Sequence, residues 1–174
     1  MLMLAVIGLA SAAVLRNAVS GDQVANSSRL QAQASQYAQL ALRFCETQLA
    51  LASGARSASL LPVASPAAWS VQRNWTATGA SSAHALAGAE IGSATPPRVA
   101  PQCLMEATDV PKIYTVTARG FSADYRTDPA TGATRSGSTV WLQATIHATD
   151  APGTTTGALT VLQRQWQQLL TPPF

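Results

Sequence analysis

The sequence predicts an α+β fold in which a long N-terminal α-helix packs on a C-terminal antiparallel β-sheet. Three observations lead there. An apolar run over residues 1–15 leads into apolar residues at helical spacing as far as Leu51, two segments after Pro101 alternate at strand spacing, and an Ala/Ser/Gly/Pro-rich stretch separates them. A chain of 174 residues suits one ordinary domain with an extra element, not two full domains. The expected division is an apolar stem continuing as an amphipathic helix over 1–53, an irregular region over 54–101, and the sheet over 102–174. The C-terminal half of the helix and the sheet form one globular unit.

Residues Met1 to Leu15 read MLMLAVIGLASAAVL, with no charge before Arg16. Leu4, Val6, Ile7, Leu9, Val14 and Leu15 make this run apolar on every side. It is shorter than the roughly 20 residues that span a bilayer and matches the length of a signal-peptide core. Two features argue against a signal peptide: no basic segment precedes the run, and helical patterning continues past it. From Asn17 the pattern becomes one-sided. Leu30, Ala34, Tyr37, Ala41, Phe44, Gln48 and Leu51 recur in steps of four and three, flanked by Ala38, Leu42, Cys45, Leu49 and Ala52. Gln31, Gln33, Gln36, Gln39, Arg43 and Glu46 fall on the other sides. Of the stripe, Tyr37, Ala41, Phe44 and Leu51 are the expected contacts to the sheet. Ser20 and Gly21 are the weak point, where a kink or local melting is expected, and Gly54 is the expected stop.

Residues 55–101 show little periodicity. Ser65 followed by Pro66 is an N-cap and first-turn pair, which predicts a short helix to Arg73. Trp69 and Trp75 are read as packing anchors, and the Asn26 and Asn74 sequons as chance occurrences. Beyond Pro101 the segments Cys103–Glu106, Tyr114–Phe121 and Thr139–Thr149 read as strands. The last two form a hairpin across a long loop with Asp128, Pro129, Thr131 and Gly132. Leu159–Leu170 fits either a helix or a strand; a strand is favoured because a lone hairpin is marginal.

Composition and motifs speak against catalysis and nucleic-acid binding. Hydrophobic residues make up 47% and charged ones only 11%, against roughly 25% charged in an average domain. So few charges suit a chain packed against copies or partners. The net charge is +3, and the arginines are spread along the chain, without the basic patch that a nucleic acid requires. His84 and His147 have no patterned partner, and no metal, nucleophile or phosphate motif stands in the sequence. Asp124 and Asp128 flank a turn and are read as solvated loop residues, not cation ligands. No catalytic, metal or cofactor residue is therefore assigned.

Cys45 and Cys103 are the two cysteines. In an exported protein they read as one disulfide, in a cytosolic one as two thiols. Cys45 lies on the apolar helix stripe and Cys103 begins the first long strand. If that strand lies on the helix, a bond between them ties stem to sheet.

Taken together, the stem running into the amphipathic helix (MLMLAVIGLASAAVLRNAVSGDQVANSSRLQAQASQYAQLALRFCE), the second cysteine segment (PQCLMEATDV) and the late strands (YTVTARGF, then TVWLQATIHA) resemble a PilX-type minor pilin, a type IV pilus assembly protein. The resemblance covers a little over half the chain, and residues 55–100 match nothing in it. It implies a pilin-like fold and a role in priming pilus assembly, in a tip complex with other minor pilins and an adhesin. The implied partners include the major pilin and the inner-membrane assembly machinery. The implied location is the inner membrane with a periplasmic domain, then the pilus. Family precursors carry a basic leader ending in glycine, and many carry a glutamate at the fifth mature position; neither stands here. The expectation is that Met1 lies inside the stem, with the leader upstream. Two rival readings are a minor pseudopilin of a type II secretion system and a signal-anchored periplasmic binding module.

Overall fold

The structure, a computed structural model, describes residues 2–76, 82–92, 96–128, 134–153 and 156–171, with side chains from residue 21 onward. In chain order the elements are helix α1 (Leu2–Leu49), strand β1 (Leu60–Leu61), helix α2 (Arg73–Thr76), strand β2 (His84–Ala85) and helix α3 (Gly88–Ile91). Strands β3 (Gln102–Ala107), β4 (Ile113–Phe121), β5 (Arg126–Thr127), β6 (Thr134–Ser136), β7 (Thr139–Asp150) and β8 (Leu159–Leu169) follow. The main sheet runs β1-β3-β4-β7-β8, with β2 also on β3; β5 and β6 pair separately.

Of strands β3, β4, β7 and β8, each is antiparallel to its neighbour. The sheet as a whole is mixed and not purely antiparallel, because β1 joins β3 in parallel through Leu60↔Met105 and Leu61↔Glu106. The chain reverses after α1 and re-enters beside β3 in the same direction, for two residues only. The architecture is thus α+β, with α1 on one sheet face and Leu61, Ala68, Trp69, Trp75 and Ala83 on the other.

Helix α1 seats on β4, β7 and β3 through residues that are small by design of the pattern. Ala34, Ala38, Ala41 and Cys45, in steps of four, three and four, are fully buried, with Leu42 and Leu49 beside them. They meet Met105, Val116, Ala118, Leu142, Ala144 and Ile146. The closest approach is at Gly120, where a Cβ would overlap main-chain atoms of Ala34, Tyr37 and Ala38. Backbone lies against backbone there, which no residue larger than glycine allows. Tyr37 and Phe44 line the stripe half-buried. Gly21 to Arg29 are exposed on all sides, so the helix extends well beyond the sheet; its 48 residues are about 72 Å long.

The opposite sheet face is covered by the irregular region. Trp75 is buried edge-on against Trp141, with ring centroids 4.7 Å apart, and its indole N–H donates to the Trp69 carbonyl (2.8 Å). Arg119 lies among them, its guanidinium 5.1–5.3 Å from the ring centroids of Phe121, Trp75 and Trp141. It donates to Gln102 Oε1 (2.6 Å) and to the Trp75 carbonyl (2.7 Å). Burial in this aromatic box brings its pKa down to about 10, opposed by Tyr125. The fixed planar fork suits two acceptors and three ring faces at once.

Several expectations need correction. Helix α1 ends at Leu49, and Leu51, expected on the sheet, is 40% exposed beyond the helix end. The stop is made not by Gly54 but by Arg56, which donates to the carbonyls of Gln48, Leu49 and Leu51 and so satisfies the free end of the helix. Glu46, expected on the polar side, is buried because β8 brings Arg164 to it (2.7 Å). The helix stays α-helical through Ser20 and Gly21. The helix expected over Ser65–Arg73 is replaced by a single 3-10 turn at Ala68–Ser70, with α2 following. There, side chains claim the backbone: Ala68 N–H donates to Glu106 Oε2, and the Asn74 amide to the Ala68 carbonyl. The long loop between β4 and β7 carries β5 and β6; Pro129, Thr131 and Gly132 lie outside the described residues. Leu159–Leu169 is a strand.

The Gly120 contact makes a prediction. Gly120→Ala forces α1 off β4 and is expected to cost about 3 kcal/mol of unfolding free energy in denaturant titration; a variant as stable as the parent would contradict the backbone contact.

Candidate functional site

The most highly constructed part of the molecule is the joint between α1 and the sheet. Helical spacing turns Cys45 toward the sheet, and the alternation of β3 turns Cys103 toward the helix. Both are fully buried, with Cα atoms 6.2 Å apart, and they form a disulfide across 58 residues of sequence. This bond links α1 to β3 along the same seat that Gly120 makes with β4. The chain-entropy value for such a loop is about 4 kcal/mol, an upper figure.

Beside the disulfide lies a clamp that the sequence reading missed. Strand β2 places His84 in register with Cys103. Its ring stacks on Phe44, with centroids 5.3 Å apart and planes within 10°. Its Nε2 meets the Glu90 carboxylate at 3.0 Å, and Glu90 also accepts the Ala87 N–H at the start of α3 (2.7 Å). The two residues are six apart in an Ala-rich stretch, with no periodicity to mark them. The only signal was one acid and one histidine in a segment otherwise without charge between Arg73 and Arg98. The arrangement closes the sheet edge over Phe44, the neighbour of Cys45.

On the other flank, α1 and β8 form a cleft of about 120 Å³ floored by Leu42 and Leu142 and walled by Glu46, Arg164 and Trp166. Glu46 gives one carboxylate oxygen to Arg164, while Oε1 is buried without a partner among the described residues. A wider cleft of about 410 Å³ lies between Val63–Trp69 and the β3–β4 end, where Glu106 is 4% exposed. Burial raises the Glu106 pKa, opposed by the backbone N–H groups of Ala68 and Trp69.

The residues expected to matter are distributed as follows. Cys45, Ala41, Tyr37 and Phe44 are together at the joint; Leu51 is not. Leu4, Val6, Ile7, Leu9, Val14 and Leu15 are on α1, but their side chains lie outside the described residues. Among the described residues no helix is long and apolar enough to cross a membrane, and no group of three or more His, Cys, Asp or Glu is gathered. Asp128 pairs with Arg135, and Asp124 accepts from Ser122 (2.6 Å), so the two carboxylates of that turn have separate partners. The joint is built to hold two elements together.

Two outcomes follow. Non-reducing intact mass should be two hydrogens below the reduced mass, and Cys45→Ser should cost up to about 4 kcal/mol of stability; free thiols at both sites would contradict the joint. For Glu106, the folded state holds the proton more tightly than the unfolded chain does. Its stabilising contribution is therefore full below the usual glutamate pKa and is lost as pH rises through the folded-state value. Glu106→Gln keeps an acceptor for Ala68 without the charge, so it should gain stability relative to the parent as pH rises above the usual glutamate pKa; parallel pH–stability curves would count against this.

Comparison with family models, with curated proteins and with solved structures gives no match.

Proposed function

We propose that the protein is a minor pilin of the PilX type, a structural and not a catalytic protein that helps prime type IV pilus assembly. One observation carries the reading: a single helix is seated over its last turns on an antiparallel core of strands, while residues 21–29 before the seat are exposed and lead back to an apolar stretch of sequence. The seated part gives the domain its core. In this reading the free part packs among other stems, since an apolar helix finds similar surroundings in lipid and among other apolar helices. The Cys45–Cys103 bond supports the same reading, because a stem that is pulled on during assembly needs a firm attachment to its domain.

In this reading the chain resides in the inner membrane with its domain in the periplasm and then passes into the pilus. Its partners are other minor pilins, the major pilin, a tip adhesin and the assembly machinery. The sparse charge leaves a surface that is readily desolvated against neighbouring subunits.

The test is a stem exchange in the cell that encodes the protein. When residues 1–20 are replaced by an unrelated membrane anchor, the domain should still accumulate in the periplasm, while surface pili are lost as in the deletion strain. Full piliation with the foreign anchor would overturn the proposal in favour of an anchored binding module. Recovery with secretion subunits, and none with pilus subunits, would overturn it in favour of a pseudopilin.

A further inference from the structure

Strand β8 is the last in the sheet order, is eleven residues long and pairs with β7. Among the described residues its outer edge pairs with no other strand. From Thr160 to Gln168 every residue is exposed, because α1 sits over β3, β4 and β7 and the Trp75 layer reaches only as far as Leu169. Val161, Leu162 and Trp166 are 41%, 58% and 58% exposed. Protein edges are ordinarily protected by lysine, proline, inward charges or a covering element. Strand β8 has no lysine and no proline. Its single charge, Arg164, is drawn back onto Glu46 of its own helix.

The sequence of the strand indicates what would pair with it. Gln163-Arg164-Gln165-Trp166-Gln167 is a pseudo-palindrome about Gln165. Laid antiparallel against itself, it sets Gln163 opposite Gln167, Arg164 opposite Trp166, and Gln165 opposite its own equivalent. Arg164 and Trp166 are in register with Ile146 and Ala144, both in the core beneath α1, so both point to the α1 side of the sheet. In that register each guanidinium meets an indole, and no arginine faces another arginine. On the other side glutamine amides meet glutamine amides. Unlike pairs of this kind favour a cross-strand register, and like charges disfavour it.

We infer that the open β8 edge is an interface for a second copy of this chain, pairing antiparallel through Gln165. The two main sheets then run on as one about a two-fold axis normal to the sheet. Both α1 helices lie on the same side and point in opposite directions. The paired state therefore excludes two stems side by side in one membrane and is separate from the anchored arrangement. It does not rest on the proposed function.

The test uses the full chain in detergent solution. Cys45 and Cys103 are both in the disulfide, so one added cysteine is the only thiol. Gln165→Cys should give a covalent dimer on mild oxidation. Gln163→Cys or Gln167→Cys alone should give little, while an equal mixture of the two should cross-link. Trp166→Lys, added to the Gln165→Cys chain at a site that is already exposed, should leave the circular dichroism of the folded chain unchanged and weaken dimerisation about tenfold or more, since each Arg164 then faces a lysine in place of an indole. A monomeric Gln165→Cys chain would overturn the proposal, as would cross-linking that is equal at all three sites or indifferent to Trp166→Lys, the mark of association through the stems.

Discussion

The fold depends on one steric constraint, the contact of helix α1 with strand β4 at Gly120. Backbone meets backbone at that point, and the alanines at 34, 38 and 41 keep the helix equally close along its length. Close approach maximises dispersion contacts but leaves little apolar side-chain volume at the interface. The larger residues lie to the sides of this line, with Leu42 and Leu49 on the helix and Leu142 and Ile146 on the sheet. A helix held in this way has a fixed height and little freedom to roll. That is what lets Cys45 reach Cys103 and lets Phe44 stack beneath His84.

The second layer has a different basis. On the far side of the sheet Leu104 and Trp141 are covered by a largely irregular segment, with only short helical turns among the described residues, pinned by two tryptophans. An irregular layer leaves backbone groups to be satisfied by side chains, and Glu106, Asn74, Gln102 and Arg119 do this work. Arg119 joins two acceptors and three rings, despite the cost of burying its charge. The low proportion of charged residues in the chain is thus partly deceptive: Arg119, Glu46 and Glu106 serve the interior.

What was legible in the sequence were the local, repeated signals. The 34-38-41-45 stripe and the alternation of β4 and β7 depend only on neighbours along the chain, and they located the helix, the hairpin and the cysteines relative to the core. What was not legible depended on partners remote in sequence. The helix ends at Leu49 because Arg56 folds back on its carbonyls, and Glu46 is buried because Arg164, 118 residues away, reaches it. Leu51 was placed on the sheet by extending a true period past an end that the period does not encode. His84 and Glu90 carry no pattern at all; only the β2–β3 register brings them to the disulfide.

The central claim is that α1 is two helices in function, one seated and one free. Amide hydrogen exchange on the full chain measures this most directly. Protection should rise sharply near Ala34 and persist to Leu49, while amides from Gly21 to Arg29 exchange orders of magnitude faster. Uniform protection along the helix, or fast exchange through the Ala34–Cys45 seat, would contradict the account.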